Sequence, residues 1–187
     1  MFAVFATVLC LISVSHSAPV DCENTARPLD QLDAKQLDGR WALIAGSLTD
    51  SNNENILKAK QSVTIDFEGS AYTQSDRHGE MCQYYPHNIT VESPNFTYHV
   101  GAFKFSGTLY HTSCADCLVF RLDYESPDYA SKDFYLVSRR RELEQSELDE
   151  FKAQVECLSM PTPIMMDPTK ALCAELAAGT RAAATES

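Results

Sequence analysis

Nine short runs of strand character, separated by turn residues, constrain the fold of this chain more than any other feature. Apolar and polar residues alternate within them, as where Val63, Ile65 and Phe67 stand between polar neighbours. No helical crossover separates the runs, so we expect an antiparallel sandwich or barrel and not a parallel α/β sheet. The runs span 40–47, 62–68, 70–75, 80–85, 88–92, 95–100, 104–111, 118–124 and 133–139.

One amphipathic helix is predicted after the strands. Its start is marked by Ser146 and Asp149, which have the spacing of a capping box, and it ends before Pro161. A second, short helical candidate lies at 29–37 in the polar lead-in. The apolar face of the long helix consists of Leu148, Phe151, Val155 and Leu158.

The first residues have the character of an export signal. The run 2–14 is apolar, carries no charged side chain and is too short to span a bilayer, so we expect a signal peptide over 1–17. One barrel domain is then expected over 18–173, followed by a flexible C-terminal tail over 174–187. The expected product is secreted into plasma or another body fluid, is a monomer and does not insert into a membrane.

Charge, sequons and cysteines agree with that location. A net charge of −11 argues against nucleic acid as a partner. The sequons at Asn88 and Asn95 predict N-glycosylation. Cys10 lies in the expected signal, and the remaining even number of cysteines favours three disulfides, although the sequence alone permits 15 pairings. These cysteines are Cys22, Cys82, Cys114, Cys117, Cys157 and Cys173.

The chain's only tryptophan stands in Gly39-Arg40-Trp41, at the start of the first strand-like run. This motif resembles the first signature of the lipocalins, and Arg139 at the end of the last run resembles the third. The second signature keeps only Thr112 and the spacing within 112–117. The resemblance implies an all-β fold, namely an eight-stranded antiparallel up-and-down barrel with one C-terminal α-helix packed on its wall. It also implies a barrel floor of Gly39, Trp41 and Arg139, with the arginine stacked over the tryptophan.

Within the lipocalins the chain resembles α1-acid glycoprotein (orosomucoid) and its fish relatives that bind saxitoxin, tetrodotoxin or tributyltin. The matching pieces lie at 80–84, 114–118, 149–158 and 167–173. This likeness implies a plasma glycoprotein of the acute-phase kind. It also implies the disulfides Cys22–Cys157 and Cys82–Cys173, which leaves Cys114–Cys117 as a local pair.

The resemblance implies a secreted carrier that binds and sequesters small hydrophobic or amphipathic ligands, xenobiotics or toxins among them, in the barrel cavity. The resemblance also indicates which residues of several strands face into the barrel. Besides the ligand-binding candidates named at the end of this paragraph, it places Ala45 and Asp123 on the inward face. Apolarity alone favours the opposite phase on 118–124, with Phe120 and Leu122 inward and Arg121 in solvent. The ligand-binding candidates are Leu43, Tyr98, Val119, Arg121, Tyr135 and Val137.

Three alternatives remain open on the sequence. One is a lipid carrier of the apolipoprotein M type, and another is an acute-phase or immune-modulating glycoprotein that acts through its surface. A thiol–disulfide enzyme at Cys114-x-x-Cys117 is the third, but no helix follows the pair, which favours a structural disulfide. No catalytic motif is recognised, His111 has no partners at zinc spacing, and neither a cofactor nor a metal is expected.

Overall fold

The computed structural model describes residues 21–176, and its strands form one antiparallel barrel. The expected signal at 1–17 and the part of the expected tail from residue 177 onward lie outside the described residues. Each strand pairs with the next along the path β4-β3-β2-β1-β9-β8-β7-β6-β5, and β10 pairs with β1. The strands are β1 Gly39–Leu48, β2 Ser62–Glu68, β3 Ala71–His78, β4 Met81–Asn88, β5 Thr90–Glu92, β6 Asn95–Val100, β7 Phe103–Tyr110, β8 Cys117–Ser126, β9 Tyr129–Ser138 and β10 Ile164–Met165.

The barrel closes because one strand bends and changes partner. β4 pairs with β3 along its whole length, and β5 continues the chain after the buried Ile89 and pairs with β6. Counted as one bent strand, β4 and β5 occupy a single position, so the path has eight positions around the barrel. The predicted eight-stranded antiparallel architecture is confirmed, and β10 adds a short outer pair beside β1.

The predicted helix packs on the outside of the wall. It is α3, Gln145–Cys157, and its Phe151 ring stacks on Phe134 of β9 with the ring centroids 5.4 Å apart. The buried Gln154 donates from Nε2 to the His111 carbonyl at 2.7 Å. The predicted capping box at Ser146 and Asp149 lies two residues too late, because the helix is capped by Glu144 and Glu147, and the Glu144 backbone N–H donates to the Glu147 carboxylate at 2.8 Å.

Two shorter helices were not predicted at these positions. In the lead-in, α1 spans Cys22–Thr25, and only a 3₁₀ turn, Ala34–Gln36, falls within the expected 29–37 helix. A further helix, α2 at Ser51–Lys58, follows β1. Its first residues are turn formers, but the Asp50 carboxylate accepts hydrogen bonds from the Asn52 and Asn53 backbone N–H groups and so caps the helix.

A β-bulge in β1 corrects the expected phase of that strand. The register against β9 shifts between Leu43 and Ala45, so two residues of β1 oppose one residue of its partner. Leu43 belongs to the core inside the barrel, whereas Ala45 packs with the cluster beneath α3. Ala45, which was expected to face inward, therefore faces outward, and Gly46 lies against Tyr135 instead.

Disulfides fasten both ends of the described chain to the barrel. Cys22–Cys157 ties α1 to α3, Cys82–Cys173 ties the C-terminal segment to β4, and Cys114–Cys117 bridges the loop before β8. The pairing is the one that the lipocalin resemblance implies. The C-terminal segment then covers the outer face of β2, where the Ser62 hydroxyl donates to the Ala171 carbonyl at 2.8 Å.

No helix in the described part of the chain is both long and apolar enough to cross a membrane.

Candidate ligand-binding site

The barrel floor is built around Trp41. Its indole N–H donates to the Leu37 carbonyl at 2.7 Å, and the Arg139 guanidinium carbon lies 4.0 Å from the ring centroid. Arg139 also donates from Nη2 to the Asp38 carbonyl at 2.7 Å. Gly39 has a φ of 103°, and a Cβ there would lie 2.6 Å from Arg139 Nη1, so this position requires glycine. The geometry is that of a closed barrel end sealed by a cation–π contact.

Above the floor, aromatic side chains fill the lumen. Phe96 contacts Phe67 and Phe120 edge to face, with centroid separations of 6.3 and 6.1 Å. All three side chains are buried. Leu43 and Val137 belong to the same cluster, so the lumen at the level of these residues is packed protein, and a separate pocket of about 380 Å³ lies below them, beside Trp41 and Arg139.

The open half of the barrel contains a cavity in two adjoining regions of about 300 and 500 Å³. These volumes fit a small-molecule site. The two regions share the side chains of Ile56, Lys60, Gln74, Tyr98 and Phe105. The first region is further lined by Leu48, Asn53, Leu57, Phe103, Leu122, Tyr124, Asp133 and Tyr135, and the second by Asp76, His78, Gln83, Tyr85, His87 and Val100.

Stacked rings form one wall of this cavity. Tyr98 and Phe105 lie face to face with centroids 4.6 Å apart, and Phe105 continues the stack to Tyr124 at 5.3 Å. On the other side Tyr98 stacks on His87 at 5.3 Å. Burial lowers the pKa of His87, so this imidazole is neutral at physiological pH. Because the rings cover one another's faces, the wall presents ring edges and the Tyr98 hydroxyl to a ligand.

A buried ion pair lies on the β3 side of the cavity. Lys60 Nζ is 2.6 Å from Asp76 Oδ2, and Gln74 donates from Nε2 to Asp76 Oδ1 at 2.9 Å. The Tyr72 hydroxyl donates to Gln74 Oε1 at 3.2 Å. These groups satisfy one another, so this side of the cavity is polar and already paired.

The opposite side contains a second buried carboxylate, Asp133. It accepts hydrogen bonds from the Tyr135 hydroxyl at 3.0 Å and the Ser131 hydroxyl at 3.4 Å. The pKa of Asp133 is raised to about 6, chiefly by burial and to a lesser extent by nearby Asp50, while the Tyr135 and Ser131 hydrogen bonds oppose the rise. Within residues 21–176 no lysine or arginine forms an ion pair with Asp133. A ligand group that donates a hydrogen bond or carries positive charge would therefore be stabilised here.

Helix α2 lies at the mouth of the cavity. Its Leu57 is buried against the lumen, and its Ile56 lines both cavity regions while remaining largely exposed. Exposed apolar side chains recur around the rim at Tyr85, Val100 and Phe103. The open half is therefore lined by apolar groups at its entrance and by both aromatic and polar groups inside.

The structure separates the predicted ligand-binding residues into three groups. Tyr98 and Tyr135 line the cavity, and burial raises the pKa of both hydroxyls, which remain protonated hydrogen-bond donors. Leu43 and Val137 point into the lumen but lie below the cavity, in the packed closed half.

Val119 and Arg121 lie on the outer face of β8, which corrects the expected phase of that strand. Val119 packs in the cluster beneath α3, and Arg121 Nε donates to Asp123 Oδ2 at 2.8 Å outside the barrel. The inward residues are Phe120 and Leu122, as the apolar alternation favours. Asp123, also expected inward, lies outside because the phase of the whole strand is reversed.

Four polar cavity residues were missed by the sequence reasoning. Asp133 could have been found, because it stands two positions before Tyr135 on the same strand and so shares its face. Gln74 and Asp76 stand at inward positions of β3, but polar side chains there give no hydrophobic alternation. Lys60 lies outside every strand and carries no sequence signal for a role in the lumen.

The Cys114–Cys117 disulfide lies at the closed end, away from this cavity. Both cysteines are buried, and together with Asp116 they form the described chain's candidate group for a metal ion. With both sulfurs in a disulfide, this group offers no thiolate ligands. Arg140 instead pairs with Asp116 at 2.6 Å and with Glu147 of α3 at 2.7 Å, which connects the loop to the helix.

Comparison with known proteins bears on the fold. No protein-family model matches this sequence, and no curated protein matches it. The solution structure of lipocalin 12 from rat epididymis superimposes with a TM-score of 0.65 over 78% of this chain and 90% of that one. The chain has a lipocalin fold. At 15% sequence identity the comparison establishes the fold alone. The class of ligand depends on the side chains that line the lumen of this barrel.

Proposed function

We propose that this chain is a secreted lipocalin carrier that sequesters a small amphipathic ligand in the open half of its barrel. The observation that carries the proposal is the cavity itself, which combines the Tyr98–Phe105 ring wall with the Asp133 carboxylate and the Tyr135 hydroxyl. Burial of apolar ligand surface contributes about 25 cal/mol per Å², and the polar groups orient the ligand.

The motif likeness to orosomucoid and the fish toxin-binding proteins supports a finer version of this proposal. In it, the cargo is a xenobiotic or toxin with a polar or cationic end that faces Asp133 and an apolar body that packs against the ring edges of Tyr98 and Phe105. The expected signal, three disulfides and two sequons support secretion into plasma or another body fluid. In this proposal the protein does not alter its ligand chemically, and it acts as a monomer.

The two sequons agree with a mouth that stays accessible. Asn88 ends β4 and Asn95 begins β6, and both positions lie toward the closed end of the barrel. Asn88 is exposed, whereas the Asn95 side-chain oxygen accepts a hydrogen bond from Thr108 at 2.9 Å. We propose that glycans are attached there, at Asn88 more readily, and that they leave the cavity entrance free.

A lipid carrier of the apolipoprotein M type needs a long and dry lumen. Here Phe96 and Phe120 fill the closed half, and the buried Lys60–Asp76 ion pair makes the open half polar. These observations favour a carrier of amphipathic molecules over a carrier of long lipids. The surface-acting glycoprotein is an outcome of the test that follows.

The test is native mass spectrometry of the protein secreted from a eukaryotic host, after enzymatic removal of glycans. We expect a small-molecule mass that disappears on denaturation. Leu122→Trp, which fills the cavity, should abolish it, and Arg121→Trp, one residue away on the outer face, should retain it. An empty wild-type protein that also ignores steroids, organotins and cationic toxins would overturn the carrier proposal. Equal retention by both variants would place the ligand outside the cavity.

A further inference from the structure

The lower limit of the cavity can be located on three of the strands that line it. On β6 the cavity reaches Tyr98 but not Phe96, on β8 it reaches Leu122 but not Phe120, and on β9 it reaches Tyr135 but not Val137. Inward residues on a strand are two positions apart, so the cavity ends one inward position above Phe96. The lumen below that level is occupied by side chains.

Phe96 forms the centre of this floor. Its ring contacts Phe67 and Phe120 edge to face, and these rings come from three different strands around the barrel. Tyr135 adjoins the layer through Phe120, with centroids 5.5 Å apart. A layer that joins β2, β6 and β8 across the lumen closes it to a flexible chain.

Gly107 allows Phe96 to adopt this position. The two residues are direct partners in the β6–β7 pairing. A Cβ added at Gly107 would lie 2.1 Å from Phe96 Cζ, so the ring rests on bare glycine backbone. Any larger residue at 107 would displace the ring from the lumen, so the pair acts as one unit.

We propose that Phe96, seated on Gly107, is the residue that sets the depth of the site and restricts its cargo to compact, ring-sized amphiphiles. This inference rests on the proposed carrier function and adds a size limit to it. A compact ligand is buried entirely in the open half. A long alkyl chain meets Phe96 at the floor, and its remaining methylene groups stay in water at the mouth.

The test is a chain-length series of neutral alkanols, from hexanol to tetradecanol, that compete with the neutral ring probe N-phenyl-1-naphthylamine. Each methylene group that enters the cavity raises the affinity about fourfold. In the wild type we expect this rise to stop within the series. In Phe96→Ala the rise should continue, so that tetradecanol binds at least tenfold more tightly than to the wild type.

Phe134→Ala is the matched control, because Phe134 is equally buried but packs against α3 outside the lumen. It should show the wild-type profile. A wild-type affinity that rises without a break to tetradecanol would overturn the size limit while leaving the carrier function intact, and this arm needs no variant to fold. A wild type that binds neither the ring probe nor any alkanol would overturn the carrier function and the size limit together.

Discussion

The closed and open halves of this barrel use the same strands and opposite chemistry. In the closed half the inward positions carry rings and aliphatic groups that fill the lumen, among them Trp41, Phe96 and Val137. In the open half the same faces carry Gln74, Asp133 and other groups around an empty volume. A strand that is well packed in the closed half thus supplies stability that its other end, which lines the cavity, does not.

The disulfides support the same division. Cys22–Cys157 and Cys82–Cys173 close loops with sequence separations of 135 and 91 residues. In the chain-entropy description each disulfide raises the free energy of the unfolded chain by about 5 kcal/mol, because it removes conformational entropy from that state. Such restraint compensates for apolar surface that a hollow barrel leaves unburied.

The largest expected contrast comes from removing one ring in each half. Phe120→Ala in the closed half should lower the free energy of unfolding by about 3–5 kcal/mol, because it leaves a void in a packed core. Phe105→Ala should cost clearly less, because its ring already faces the cavity, but it should weaken ligand binding at least tenfold. Denaturant unfolding and ligand titration of both variants measure this. Equal losses of stability would show that the two halves are packed alike.

The next effect is a gain of stability in the open half. The pKa of folded Asp133 is raised to about 6 from 3.8, so the unfolded chain loses this proton first and stability falls as the pH rises from about 4 to about 6. Asp133→Asn removes this cost and should stabilise the unliganded protein at pH above about 6.5 by up to about 3 kcal/mol. Below about pH 4 the variant should gain nothing.

Thermal unfolding across this pH range checks the prediction for Asp133. The same variant should bind a cationic ligand less tightly than the wild type, which distinguishes a functional carboxylate from a merely buried one. A variant that is less stable at neutral pH would contradict the assignment of a cost to this charge.

A smaller effect is expected at the barrel floor around Trp41, below the Phe96 layer. Arg139→Gln removes the guanidinium from the Trp41 ring and should cost about 1–2 kcal/mol. Ligand affinity should not change, because the cavity ends above this layer. Tryptophan fluorescence of the chain's only indole reports the altered environment directly, and a loss of ligand affinity comparable to that of Phe105→Ala would contradict the separation of the halves.

The smallest effect is expected on the outer face of β8. Arg121 pairs with Asp123 at 2.8 Å in a partly exposed position, and such pairs contribute about 0–1 kcal/mol. Arg121→Ala should therefore alter stability by less than about 1 kcal/mol and leave ligand affinity unchanged. A tenfold loss of ligand affinity in the titration would contradict the outward position of Arg121 and indicate that its side chain faces the lumen.

Much of the fold could be predicted from the sequence, because strand alternation and turn residues are local signals. The barrel, its outer helix and the Trp41–Arg139 contact all lie where the pattern or the resemblance implies them. Helix α2 could not be predicted in this way, because it depends on a single Asp50 cap and on Leu57 docking at the mouth.

The candidate site was predicted less completely, for a physical reason. A one-residue change of phase turns a whole strand inside out, and β8 was assigned the wrong face although Phe120 and Leu122 made the better apolar stripe. The β1 bulge reversed the face of Ala45 in the same way. Polar lumen residues such as Asp76 are recognised only when the pairing of their strand is known.

The most direct test of the division between the halves is a crystal structure of the protein, purified from a eukaryotic secretion host, with any small molecule that co-purifies with it. We expect ligand density between Tyr98, Phe105 and Asp133, with the Phe96 ring still seated on Gly107 below it. Density that extends past Phe96 toward Trp41, or a ligand bound outside the lumen with the open half filled by side chains, would contradict it.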